Sequence, residues 1–144
     1  GKLLENIELT ASDGNVVLRI REGTTLKRDD KEPVTQLAVV GRPAVVYFQY
    51  GIVTSLVYEF TPESITLDKP AELQMSIIHP PADVKSIKPK EPEIVRNFAG
   101  SQETWIRFTS DYSIDWTANT ITVEIRELGN YAVSFWYWYV PPRT

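Results

Sequence analysis

An all-β fold, a two-sheet antiparallel β-sandwich with almost no helix, is what this 144-residue chain predicts. Three observations carry that expectation. Apolar and polar residues alternate with period two in the runs 16–21, 72–77 and 121–125, as they do in strands with one buried face. Gly, Pro, Asn and Asp interrupt the chain between such runs, at Asp13-Gly14, Gly41-Arg42-Pro43, Pro80-Pro81 and Gly129-Asn130, where turns require unusual or fixed φ angles. No segment sustains the 3.6-residue period of an amphipathic helix.

The elements follow in order. Residues 3–10 read as a first strand with Leu3, Ile7 and Leu9 on one face, and Ser12-Asp13-Gly14-Asn15 turns it. Residues 16–21 return with Val16, Leu18 and Ile20 inward and Val17, Arg19 and Arg21 outward. Glu22-Gly23-Thr24-Thr25 breaks that strand, and the charge run KRDDKE at 27–32 reads as a solvated loop. Residues 34–40 form a strand, Gly41-Arg42-Pro43 a corner, residues 44–50 a buried strand, and Gly51 a turn or bulge. Leu56, Tyr58 and Phe60 share one face of the next strand. Residues 63–68 hold a short turn or strand, and Lys69-Pro70 resets the chain. Leu73, Met75 and Ile77 then alternate cleanly with Glu72, Gln74 and Ser76.

His79-Pro80-Pro81 stops that strand. From there to Gly100 the prolines Pro80, Pro81, Pro89 and Pro92 argue against a long helix or a central strand, leaving an extended connection with an edge strand near 84–87. Residues 105–109 form a strand and 111–116 a short strand or turn, with Trp105 and Trp116 assigned to the core. Ile121, Val123 and Ile125 make another half-buried strand, Leu128-Gly129-Asn130 turns, and 131–140 is the last strand, closed by Pro141-Pro142. Ordinary strand lengths then give roughly seven to ten strands in two sheets, each with one solvated face.

Bulk properties narrow the function. The length suits one domain over residues 1–144, large enough to bury a core without staples. The absence of cysteine removes disulfides, thiolate zinc sites and thiol nucleophiles. A net charge of −4 lacks the basic excess of a nucleic-acid binder. No run approaches the roughly 18 apolar residues that suggest a membrane-spanning helix. Gly1-Lys2-Leu3-Leu4-Glu5 has no apolar leader core, and the segment reads as a module of a larger protein whose export signal and anchor lie elsewhere.

Three stretches carry a resemblance. They are SDGNVVLRIREGTTLKRDDKEPVTQLAV at 12–39, VYEFTPESITLDKPAELQMSII at 57–78 and ETWIRFTSDYSIDWTANTITVEIRELGNYAVSF at 103–135. In this order they resemble the ZU5-like β-sandwich modules of bacterial and archaeal cell-surface or secreted proteins. Those modules carry a Tyr-x-Phe-x-Pro strand (here Tyr58, Phe60, Pro62), an Asn-Thr-Ile-Thr strand (here Asn119 to Thr122) and a final Tyr-Ala-Val strand (here Tyr131 to Val133). The likeness is weaker at 41–55 and 80–99. Some ZU5 domains cleave themselves at a His-Phe-Ser site before the last strand. This chain has Arg126-Glu127-Leu128-Gly129-Asn130-Tyr131 there, so the resemblance does not carry self-cleavage.

No catalytic set emerges from the residues. His79 is the sole histidine and sits before two prolines with no serine partner in view, so it reads as a partly exposed turn residue rather than a triad base. Asp29-Asp30, Asp111 and Asp115 follow no calcium-loop spacing, and turn capping accounts for them. Glu124 and Glu127 flank a strand end, with Glu124 on the solvent face, unlike a glycosidase pair held about 5–9.5 Å apart across a cleft. No cofactor and no metal site is expected.

The last strand is distinctive. In Phe135-Trp136-Tyr137-Trp138-Tyr139, alternation puts Phe135, Tyr137 and Tyr139 on one face and Trp136 and Trp138 on the other. A Trp136/Trp138 stripe would suit a sugar ring or a protein partner, unless both faces are covered. The expectation is a non-enzymatic structural or interaction module, extracellular or at the cell surface, spacing domains or contacting another surface protein. The alternative is a carbohydrate-binding module that uses the Trp136/Trp138 stripe.

Overall fold

A computed structural model describes residues 1–43, 47–48, 51–62, 64–79, 87–97, 106–107 and 112–139. Its described residues form thirteen strands and no helix: β1 (Ile7–Thr10), β2 (Val16–Ile20), β3 (Leu26–Arg28), β4 (Ala38–Arg42), β5 (Tyr47–Phe48), β6 (Gly51–Val53), β7 (Val57–Thr61), β8 (Ile65–Ser76), β9 (Ile87–Asn97), β10 (Ile106–Arg107), β11 (Tyr112–Asp115), β12 (Thr120–Glu127) and β13 (Asn130–Tyr139). They make a six-stranded sheet in the order β1-β2-β8-β12-β11, with β3 also on β8. A seven-stranded sheet runs β10-β9-β13-β6-β5, with β7 joining β13 to β4. All pairings are antiparallel. The two-sheet class agrees with the sequence. The strand number exceeds the expected seven to ten because pieces of two or three residues, such as β3, β5, β6 and β10, pair separately.

Each sheet is organised on one long strand. β8 spans 12 residues, lies along β12 on one side, and meets β2 and then β3 on the other. β13 spans 10 residues, lies along β9, and meets β6 and then β7 on its other side. The inward faces interlock in one core. Val16, Leu18, Leu73, Met75, Ile121 and Val123 come from the first sheet, and Tyr58, Phe60, Ile94, Tyr131, Val133 and Phe135 from the second. A fully buried aliphatic or aromatic side chain contributes roughly 1.5–3 kcal/mol, so this interlock dominates the favourable side of folding.

Several expectations are corrected. The first strand begins at Ile7, because Lys2 bridges Thr25 and the Leu3 amide donates to the Thr24 carbonyl at 2.9 Å. The start of the charge run is not loop: Leu26–Arg28 pairs with β8, since burying Leu26 fixes the register. Residues 34–37 lie outside any strand, while Gly41 and Arg42, expected as a corner, lie in β4. Pro70 does not reset the chain. It stays within β8 where the β12 register slips, between Ala71 opposite Ile125 and Thr66 opposite Glu127. On the other side it falls between the stretches paired to β2 and β3, so its missing N–H costs no ladder bond.

The prolines at 89 and 92 likewise lie inside a strand of 11 residues. Among the described residues β10 pairs with Val95 and Arg96 alone, which leaves the proline-bearing half of β9 with β13 as its one neighbour there. A register slip sits between Pro92 and Pro89 there. Prolines are tolerated on such an edge. The expected strand at 84–86 and the Trp105 assignment lie outside the described residues. Trp116 is not core: it is 58% exposed at the turn after β11. The seven-stranded sheet also lacks a fully solvated outer face. Val57, Val95 and Ala132 form a second buried cluster there, and Ser134 is fully buried.

The chain passes between sheets from β12 to β13 at Leu128-Gly129, and this corner is pinned three ways. The Leu128 amide donates to the Ile65 carbonyl at 2.8 Å, and the Phe60 amide donates to the Gly129 carbonyl at 3.1 Å. The Tyr131 hydroxyl donates to the Glu127 carbonyl four residues back, the geometry of a tyrosine corner. The Tyr131 ring meets Phe60 edge-on at 5.9 Å. Burial pushes its phenol up to about 12, a rise that the Arg96 guanidinium beside it opposes.

Leu73→Ala should therefore lower unfolding free energy by about 2–5 kcal/mol in urea denaturation, as expected for a cavity in a close-packed core. Trp116→Ala should change it by no more than about 0.5 kcal/mol, as for a surface residue. A large loss with Trp116→Ala would contradict its exposed placement.

Candidate functional site

Three loops converge at one end of the sandwich, and hydrogen bonds tie each to the next. The β1–β2 turn folds on itself: the Gly14 amide donates to the Ala11 carbonyl and the Asn15 amide to Asp13 Oδ1, both at 2.9 Å. Gly14 has φ 77°, which is why glycine stands there. The Asn15 carbonyl accepts the Ser76 amide at 2.8 Å, joining this turn to the end of β8. Ile77 is held in turn by the β11–β12 turn: its amide donates to the Asn119 carbonyl, and its carbonyl accepts Asn119 Nδ2, both at 2.9 Å. Asp115 Oδ1 accepts the Thr117 and Ala118 amides at 3.0 Å.

These fixed loops present large side chains outward. Trp116 rides on the turn capped by Asp115, and Ile78, 37% exposed, follows the buried Ile77. His79 is exposed, with Nε2 3.3 Å from Asn119 Oδ1 and its ring 5.7 Å from that of Phe135. The histidine thus sits where the sequence placed it, at a strand end. Glu124 lies on the solvent face, and Asp30 is engaged by Arg28 and by the Glu32 amide. Asp111 lies outside the described residues. Among the described residues no three His, Cys, Asp or Glu side chains group as metal ligands.

Beside these loops lies an open hollow of about 480 Å³ that straddles the two sheets. Asp13 and Asn15 enter it from the β1–β2 turn and Ile78 from the end of β8. Pro43 follows β4, Val53 ends β6, and Thr54, Ser55 and Leu56 form the kink between β6 and β7. That kink is anchored to β13: the Thr54 amide donates to the Val133 carbonyl at 3.0 Å, and Ser55 Oγ accepts the Val133 amide at 2.8 Å. Thr54 Oγ1 lies 3.5 Å from the same carbonyl, a long contact that leaves this hydroxyl weakly engaged. A second hollow of about 340 Å³ is more apolar, with Leu3, Ile7, Leu9 and Leu26 among its walls.

At the floor of the larger hollow Tyr58 ties the sheets together. The residue is 2% exposed, and its hydroxyl donates to Asp13 Oδ2 at 2.7 Å. Burial, then the hydrogen bond and negative charge of Asp13, hold the phenol far above its ordinary range. For Asp13, burial pushes the carboxyl up. The Tyr58 hydroxyl and the backbone and side chain of Asn15 outweigh it and hold the group below its ordinary value. Asp13 is therefore a carboxylate at neutral pH. Its oxygens accept the Tyr58 hydroxyl and the Asn15 amide, with further bonds from the Asn15 side chain and from Asp13's own amide.

The sequence showed Asp13 as a turn residue and Tyr58 as a core face, without their contact. The available signal was the hydroxyl itself, since a buried tyrosine usually finds a partner. Thr54 and Ser55 carried no signal. Trp136 lies opposite Gly51, and Trp138 opposite Lys88, within β13. Their side chains fall outside the described residues. Among known proteins, no family model and no curated protein matches this chain.

The Asp13–Tyr58 bond fixes a pH dependence. Asp13 has a lowered folded pKa, so the unfolded chain binds more protons in acid. Its stabilisation is complete above the unfolded value near 3.8 and is lost as pH falls below it. Denaturation curves from pH 6 to about 2 should show a shallower acid loss in Tyr58→Phe than in the wild type. Equal slopes would mean that the bond is not formed in solution.

Proposed function

We propose that this chain is a non-enzymatic interaction module, ZU5-like, of a prokaryotic cell-surface or secreted protein. In this reading it acts mechanically: a sandwich core holds a set of end loops rigid, and those loops dock another surface component or a neighbouring domain. The observation that carries the reading is the loop end, where Trp116 and Ile78 are exposed on turns already fixed by internal hydrogen bonds. A preorganised tryptophan offers large contact area with little ordering cost on binding. The order of the Tyr58-Phe60, Asn119-Thr122 and Tyr131-Val133 stretches along the chain supports the family part of the reading. The setting outside the cell rests on that resemblance.

Purified chain should be retained on prokaryotic cell-envelope fragments, with several-fold weaker retention for Trp116→Ala. It should leave chromogenic esters, glycosides and peptides unchanged. Turnover of any of these, or wild-type retention by the variant, would count against the module. Prolonged incubation should also leave a single intact band on a denaturing gel, because Arg126 to Tyr131 lacks the histidine and serine of self-cleaving ZU5 domains. Scission near Leu128 would overturn that expectation.

A further inference from the structure

The hollow beside Asp13 has a chemistry that selects its ligand, and we propose that it is a binding site for a neutral saccharide unit. The inference rests on the interaction-module reading and names a ligand class for it. At about 480 Å³ the hollow falls within the roughly 300–1,000 Å³ of small-molecule sites.

Its electrostatics exclude two classes. Asp13 is ionised at neutral pH and, among the described lining residues, is the one charged group, with no Lys, Arg or His beside it. Phosphates, sulfates and uronic acids would meet the negative charge of Asp13. A wholly apolar ligand would strip water from the carboxylate without replacing its hydrogen bonds, which is strongly unfavourable. What enters must donate to Asp13.

The other groups decide what kind of donor. Asn15 carries a side-chain amide, already bonded to Asp13, with both donor and acceptor groups, and Thr54 a half-buried hydroxyl whose contact among the described residues is the 3.5 Å one to the Val133 carbonyl. A cationic head would use the acceptors alone. Hydroxyls on a sugar ring donate and accept at once and match the mixed set. Pro43, Leu56 and Ile78 supply aliphatic surface on which the C–H face of a pyranose ring can rest. Asp13 and Asn15 are fixed by their turn and by Tyr58, and Thr54 by the hydrogen bond of its amide to the Val133 carbonyl, so little ordering is needed on binding.

The test is a titration of the ¹⁵N-labelled chain, followed by amide chemical shifts. The probes are methyl glycosides of neutral hexoses, pentoses and N-acetylhexosamines, with glucuronate and n-butylammonium as charged comparisons. A site of this kind should saturate with Kd on the order of 1–10 mM. Shifts should centre on residues 13–15, 53–56 and 78, for at least one neutral glycoside. Thr54→Val and Ile78→Ser leave the Asp13–Tyr58 bond in place and should each weaken that binding at least several-fold. Asp13→Asn should weaken it about tenfold, and glucuronate should bind less well than its neutral counterpart.

Stronger binding of butylammonium than of every glycoside would overturn the assignment in favour of a cationic protein side chain. Shifts centred on Trp136 and Trp138 would move the sugar site to the last strand and overturn it as well. So would the lack of saturation by any neutral glycoside. That last result leaves retention on cell envelopes untouched, so the two readings fail separately.

Discussion

The architecture depends on how the chain leaves one sheet and enters the other at Leu128-Gly129. Both residues are buried, and a buried connection must find partners for its peptide groups. Ile65 and Phe60 provide them, one from each sheet. Tyr131 closes the corner by reaching back to Glu127 while its ring fills the core against Phe60. Because β12 lies along β8, and β13 along β9, this corner sets how the two long strands face each other. Every inward residue elsewhere meets its counterpart through that setting.

A second tie shapes the loop end. Tyr58 belongs to the seven-stranded sheet and Asp13 to the turn of a hairpin in the six-stranded one. Their bond spans the gap between layers at the place where the core ends and solvent begins. It helps explain why a carboxylate stands beside aliphatic side chains: its charge is stabilised by hydrogen bonds from Tyr58 and Asn15. The same bond fixes one wall of the adjoining hollow. Stability and the shape of the candidate site thus share a residue pair.

The loops show the same economy of motion. Asp115 caps one turn, Asn119 clamps Ile77, and Asn15 receives Ser76. Each bond crosses from one loop to its own backbone or to a neighbour. Exposed side chains such as Trp116 and Ile78 are therefore carried on fixed supports, a condition under which surface area converts efficiently into affinity.

Alternation by itself determined which residues enter the core. Val16, Leu18, Ile20, Leu73, Met75, Ile121, Val123 and Ile125 are all buried as the period of two requires, because side chains on a strand can point to only two faces. The all-β class and the β1–β2 and β12–β13 turns were legible for the same local reason. Tertiary pairing decided the rest. Pro70, Pro89 and Pro92 lie inside strands because register slips, and for β9 a side with no neighbour among the described residues, absorb their missing donors, and neither feature exists until a neighbouring strand is placed. Trp116 lies outside although it resembles core residues in kind, because its turn is capped at the sandwich end. The hollow around Asp13 joins segments from residue 13 to residue 78. No local pattern encodes such a meeting, since the attraction between Tyr58 and Asp13 acts only after the two sheets have closed.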